Sequence, residues 1–109
     1  MPRNILVSVA WPYANADPHV GNLTGAYLPA DIFARYHRLK GNRVLMVSGS
    51  DAHGTPITVR ADAEKKTPLE VYEYHHDRFL ELFVKLGLTY DLFTTTHSEK
   101  HTHLSLIHI

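Results

Sequence analysis

The sequence contains no cysteine, which excludes a disulfide framework, a cysteine-based zinc site and a thiol nucleophile. It has no excess charge of either sign: 11 Lys and Arg balance 11 Asp and Glu, and the pI is near 7.1. A free-standing module that holds nucleic acid mainly by charge is therefore not expected, because counterion release needs clustered cations. No apolar run approaches the ~20 residues of a membrane span. The opening Met1-Pro2-Arg3-Asn4-Ile5-Leu6-Val7 lacks the apolar stretch of a signal peptide. Neither of the two commonest phosphate loops is present, since there is no Gly-x4-Gly-Lys-Ser/Thr and no Gly-x-Gly-x-x-Gly after the first strand. These absences leave a cytoplasmic α/β domain as the expectation.

What is present fits one domain: 109 residues, 44% hydrophobic and 20% charged, with nine histidines as the one compositional oddity. Ile5 to Ala10 is a short apolar run that predicts a strand buried on both faces, as in a parallel sheet. Trp11 to Pro18 carries Pro12, Asn15, Asp17 and Pro18 and reads as a loop. Leu23, Ala26, Tyr27, Ala30, Phe33, Ala34 and His37 then recur at helical spacing. Pro29 lies inside that pattern, where loss of its hydrogen bond to the Gly25 carbonyl predicts a kink. Gly41-Asn42 ends the helix and Arg43 to Gly49 is the second strand, completing a βαβ unit.

A short helix is expected from Ile57 to Lys65. Thr67-Pro68-Leu69-Glu70 reads as a capping box that opens a longer helix, with Leu69, Tyr72, His76, Phe79, Leu80, Phe83 and Leu86 on its apolar face. Leu88 to Phe93 is expected as a third strand, and Thr96-His97-Ser98-Glu99 as a second capping box before a last helix. Tyr72, His76, Phe79 and Phe83 read as core. His75-His76 are adjacent and point apart on a helix, which argues against a metal pair. Arg35, Arg38, Lys40 and Arg43 could touch nucleic acid, but a solvated helix end is the commoner explanation. His97, His101 and His103 have metal-like spacing without a clear carboxylate or cysteine to complete a site, and read as surface histidines.

Ligands of open parallel sheets bind beyond the carboxyl ends of the strands. Two loops leave such ends. The first, Trp11 to Asn22, runs into a helix N-terminus, where free N–H groups favour an anion. Within it, Gly21 permits close approach of a ligand to the backbone. His19 can donate to a phosphate oxygen without a full charge. The alternative is a structural loop whose histidine only caps the helix. The second loop, Asp51-Ala52-His53-Gly54-Thr55-Pro56-Ile57, sets a carboxylate and an imidazole two residues apart. It suits an ammonium group, or else capping by Asp51 or Thr55.

Together these loops resemble the catalytic domain of class I aminoacyl-tRNA synthetases, and more narrowly the methionyl-tRNA synthetases. The resemblance is carried by Ala10-Trp11-Pro12-Tyr13-Ala14-Asn15, His19-Val20-Gly21-Asn22 and Asp51-Ala52-His53-Gly54-Thr55-Pro56-Ile57. Phe33-Ala34-Arg35-Tyr36, Arg38-Leu39-Lys40-Gly41 and Thr89-Tyr90-Asp91 fit as well. It implies the N-terminal half of a Rossmann-like, doubly wound parallel-sheet domain.

The implied chemistry is attack of the methionine carboxylate on the α-phosphorus of ATP, with Mg2+ bound to the nucleotide, and then transfer of the methionyl group to tRNA(Met). No protein nucleophile is needed, only orientation and stabilisation of developing charge. His19 and Asn22 would be the catalytic pair, Asn22 standing where the family's best-known pattern has a second histidine. Tyr13, Ala14, Asn15, His19, Gly21 and Asn22 would bind ATP. Ala10, Trp11, Tyr13, Asp51 and His53 would bind methionine, with Asp51 on the α-ammonium group and Trp11 in place of the leucine of many relatives.

No metal ligands are expected here. Zinc would belong to the family's inserted connective domain, which these residues do not include, nor do they include its Lys-Met-Ser-Lys-Ser loop. The 109-residue chain alone is accordingly expected to be inactive. Residues 1–103 are assigned to the catalytic domain. Leu104 to Ile109 departs from the family and coincides with one translated frame of a sequencing-library transposon end, so 104–109 is expected to be a non-native tail. The rival readings are another adenylate-forming nucleotidyl transferase and a non-catalytic nucleotide or amino-acid binding module.

Overall fold

The computed structural model describes residues 1–108. Its elements are β1 (Asn4–Ser8), α1 (Val20–Asn22), a π-helical stretch (Leu23–Tyr27), α2 (Leu28–Leu39), β2 (Arg43–Ser50), α3 (Thr55–Glu64), α4 (Pro68–Lys85), β3 (Leu92–Thr95) and α5 (Glu99–His108). The three strands form one parallel sheet in the order β1-β2-β3. Ile5 pairs with Val44 and Val47 with Leu92, which fixes the register. The α/β, parallel-sheet expectation therefore holds.

Alternation along the strands gives the sheet two unlike faces. Val7, Val44, Met46 and Phe93 turn toward the helices, where Tyr27, Ala34, Ile57, Ala61, Val71, Tyr72, Phe79 and Phe83 complete the core. On the other face Leu6, Leu45 and Leu92 are 66%, 53% and 55% exposed. β1 is thus not buried on both faces, because among the described residues helices cover only one side of the sheet.

Pro29 does not stand in the middle of an α-helix. It occupies the first turn of α2, directly after the π-helical stretch, where the Leu28 N–H bonds to the Leu23 carbonyl. The wider turn takes up the missing donor, as π-bulges in helices do. α2 and α4 stop at the expected glycines, Gly41 and Gly87, both at positive φ.

α4 opens on the predicted capping box. The Thr67 hydroxyl accepts from the Glu70 N–H at 3.2 Å, and the Glu70 carboxylate accepts from the Thr67 N–H at 2.7 Å. Its buried stripe is Val71, Tyr72, His75, Phe79 and Phe83, whereas Leu69, Leu80 and Leu86 stay exposed. The stripe is rotated from the predicted one because α4 packs on the sheet and on α3, and its third side meets solvent. The second capping box does not form. Ser98 accepts from the His101 N–H at 3.2 Å, while the Thr96 hydroxyl is engaged by the Ala52 N–H at 2.8 Å. β3 begins at Leu92, later than expected, since Thr89 and Asp91 are held from α2.

That hold is a polar cluster. Asp31 of α2 is buried and accepts from the Thr89 N–H at 2.7 Å and from Arg35 Nε at 2.7 Å. Arg38 donates to the Thr89 hydroxyl, the Thr89 carbonyl and Asp91, at 2.6, 3.1 and 2.9 Å. Asp91 accepts the Met46 N–H at 2.7 Å. Arg35 and Arg38, though partly solvated, therefore bind other parts of this chain, which a simple solvated helix end does not describe.

Candidate functional site

The carboxyl ends of β1 and β2 carry their loops side by side. The Asp51 N–H donates to the Pro12 carbonyl at 2.8 Å, and the Ala14 N–H donates to the Asp51 carbonyl at 3.1 Å. This extends the parallel pairing beyond the strands as a bridge between Tyr13 and Asp51. Beneath it the buried Ser48 hydroxyl donates to the Val9 carbonyl at 3.1 Å. The two loops are thus one rigid unit, although each was recognised separately in sequence.

Ala10, Trp11, Tyr13, Asn15, His19 and Asn22 line one cleft of about 390 Å³, together with Tyr27 and Phe79. Trp11 and Tyr13 are 36% and 47% exposed, so each ring offers a face to solvent. Ala14 is fully buried, and its N–H is engaged by Asp51. His53 lies apart, in a neighbouring pocket of about 330 Å³ with Tyr72 and His97, its ring 5.3 Å from that of His97. Asp51 lines neither pocket. Its Oδ1 accepts from the His53 N–H at 3.2 Å, a turn bond that leaves Oδ2 without a partner in the described structure. Thr55 does not cap α3; the N-cap is Gly54.

Both aromatic rings sit where glycine leaves room. A Cβ on Gly49 would lie 2.6 Å from the Trp11 ring and 2.7 Å from the Thr94 carbonyl. One on Gly54 would lie 2.6 Å from the Tyr13 ring. Sequence reasoning passed over both, yet a glycine at the end of a buried strand is a known sign of close approach.

Two further supports were missed because their partners are far apart in the chain. Ser50, at the end of β2, contacts His76 Nδ1 of α4 at 2.7 Å. Burial pushes the pKa of the His76 imidazole below its ordinary value, which favours the neutral ring. From the β3 side, the Thr96 N–H donates to the Ser50 carbonyl at 3.1 Å. The first loop is tied to α4 by Arg78, whose Nε lies 2.7 and 2.8 Å from the two Asp17 oxygens. The Arg78 guanidinium holds the Asp17 carboxyl below its ordinary range. His75 Nδ1, buried and without a hydrogen bond, is 3.5 Å from Asp17 Oδ1.

Arg78→Gln is expected to change stability by less than about 1 kcal/mol, since both partners are partly exposed. Amide exchange across residues 15–19 should nevertheless quicken, and an unchanged exchange pattern would show that the ion pair does not restrain the loop.

Among the described residues no group of three or more His, Asp or Glu is placed to hold a metal ion. No helix of these residues is long and apolar enough to cross a membrane.

The family model described as "tRNA synthetases class I (M)" matches residues 5–107. The methionine–tRNA ligases of Thermomicrobium roseum and of Roseiflexus sp. (strain RS-1) are each 62% identical over 101 residues, 93% of this chain. The chain spans only 17% of the length of these relatives. Among solved structures, Mycobacterium tuberculosis methionyl-tRNA synthetase in complex with methionyl-adenylate superposes with a TM-score of 0.90 at 29% identity, over 94% of this chain and 20% of that one. On the family match and these identities, the chain belongs to the class I (M) family of tRNA synthetases, the family of the methionine–tRNA ligases.

Proposed function

We propose that this chain is the N-terminal piece of the catalytic domain of a methionine–tRNA ligase, which activates methionine with ATP and passes the methionyl group to tRNA(Met) in the cytoplasm. The observation that carries this reading is the backbone zipper between Pro12, Ala14 and Asp51, which makes one platform of the two loops. On it His19 and Asn22 face the same cleft as Trp11 and Tyr13. His19 would donate to the ATP phosphates, with Asn22 beside it, while Tyr13, Asn15 and the backbone at Ala14 and Gly21 would receive the nucleotide. Methionine would lie against Ala10, Trp11 and Tyr13, its α-ammonium group on Asp51 and its thioether against the aromatic rings, a contact worth ~0.3–1.5 kcal/mol. His53 takes a supporting place at the neighbouring pocket.

Mg2+ would arrive with ATP as substrate. The chain has no cysteine, and no zinc role is assigned to its residues. The division into residues 1–103 and a non-native 104–109 belongs to this proposal. It rests on the departure of Leu104 to Ile109 from the family sequence; α5 has no buried residue on either side of that division, and the family match runs to residue 107. Reading the source locus through codon 109 tests it.

The functional test is methionine-dependent exchange of pyrophosphate into ATP. The product of a complete reading frame containing this segment should catalyse the exchange, and Asp51→Ala in it should raise the KM for methionine at least about tenfold, as loss of a charged hydrogen bond does. The 109-residue chain alone should show none. Exchange driven by another amino acid would favour a different adenylate-forming enzyme. Absence of exchange in the complete product would favour a binding module.

A further inference from the structure

We propose that Gly21 and Asn22 are positioning residues that hold the His19 imidazole in its Nε2–H tautomer, so that the ring meets its ligand as an Nε2–H donor of fixed orientation. The inference deepens the nucleotide reading and rests on it for the ligand only.

His19 is the N-cap of α1, and it caps in an unusual way: its ring, rather than a hydroxyl or carboxylate, accepts the backbone N–H of Asn22, at Nδ1 and 3.2 Å, an N–H it shares with the His19 carbonyl at 3.0 Å. A ring nitrogen that accepts carries no proton, and in a neutral imidazole the proton must then be on Nε2. The Asn22 side chain completes the exchange by accepting the His19 N–H at Oδ1, at 3.1 Å. Backbone and ring of His19 are thereby gripped by one residue.

Gly21 leaves the room that this pose of the ring needs. A Cβ built there would lie 2.9 Å from His19 Cε1 and 3.0 Å from Nδ1, closer than side chains pack. The imidazole occupies the space that a side chain at position 21 would need. This gives Gly21 a reason to be glycine before any ligand arrives, and it separates two roles. Gly21 and Asn22 act through His19, and His19, which lines the cleft, is the group left to donate. With Oδ1 accepting from the His19 N–H, Asn22 has its amide hydrogens free for a ligand.

The colliding atoms belong to a side chain that can swing into solvent, so Gly21→Ala should fold normally while displacing the ring. Asn22→Ala removes the grip on the His19 backbone. Asn22→Gln keeps an amide at a helix position where glutamine caps well.

The test is long-range proton–nitrogen correlation NMR on the full chain labelled with 15N-histidine, followed by titration with Mg·ATP. Wild-type His19 should show the Nε2–H tautomer. Gly21→Ala should return the ring to a mixture of tautomers with unchanged thermal unfolding, and Asn22→Ala should do so in part. Asn22→Gln should restore the wild-type pattern. In the product of the complete reading frame, the affinity for Mg·ATP should fall about tenfold in Gly21→Ala. A wild-type ring protonated on Nδ1, or a Gly21→Ala ring with the wild-type pattern, would overturn the assignment. If the tautomers behave as expected but the complete wild-type product binds no Mg·ATP, the positioning role stands and the nucleotide reading of the cleft fails.

Discussion

Replacing Phe79 with alanine is expected to lower the unfolding free energy by about 3–5 kcal/mol, a large fraction of a total stability of the order of 5–15 kcal/mol. Phe79 is fully buried at the centre of α4, with its ring 6.2 Å from that of Phe83, and it also lines the cleft. The loss has two sources, transfer of the ring to water and the cavity left behind, and the second is large because the sheet cannot collapse into it. Phe79→Leu keeps most of the volume and should cost less, about 1.5 kcal/mol or below. Urea denaturation monitored by far-ultraviolet dichroism measures both. Near-equal effects of the two substitutions would mean that ring shape rather than volume is what the core requires.

Asp31→Ala is the second large effect, expected at about 2–4 kcal/mol. The carboxylate is buried and receives the Thr89 N–H and hydroxyl as well as Arg35, so its removal leaves a half-buried N–H without its partner. The same residue sets a pH dependence. Burial alone would raise its carboxyl pKa, but the Thr89 and Arg35 hydrogen bonds together hold it below the ordinary 3.8. A carboxyl group depressed in the folded state contributes stability above the unfolded pKa, and that contribution is lost as pH falls through the folded one. Stability should therefore decline below about pH 4. Asp31→Asn, which keeps the shape and removes the charge, should make that acid limb shallower. A mutant and a wild type with parallel acid limbs would assign the dependence to other carboxylates, Asp17 first among them.

The elements that were legible in the sequence are those set by neighbours in the chain. Thr67 and Glu70 are three residues apart, and their capping box forms as read. The strand at Arg43, the stop at Gly41 and the helical phase from Leu23 to Leu39 are likewise local. Thr96 looked equivalent to Thr67, yet its hydroxyl has a stronger claimant in the Ala52 N–H, 44 residues away. No spacing rule contains that bond.

The candidate site divides the same way. The two loops announced themselves through residue type, and the fold brings six of the predicted site residues, all from Ala10 to Asn22, into one cleft while Asp51 and His53 stay outside it. The links that brace them, Asp17 to Arg78 and Ser50 to His76, cross 61 and 26 positions of sequence. Each depends on how α4 lies across the sheet. The buried stripe of α4 was misjudged by the same ignorance, since a helix pattern shows that an apolar face exists but not how much of it the sheet will cover.

The seat of Trp11 over Gly49 has a practical consequence. The chain has a single tryptophan, and it forms part of the cleft wall, with the His101 ring 6.0 Å away. All indole emission from this molecule therefore originates at the candidate site. The protein carries a built-in optical reporter, and ligand arrival and loop opening can each be followed there without attaching a dye.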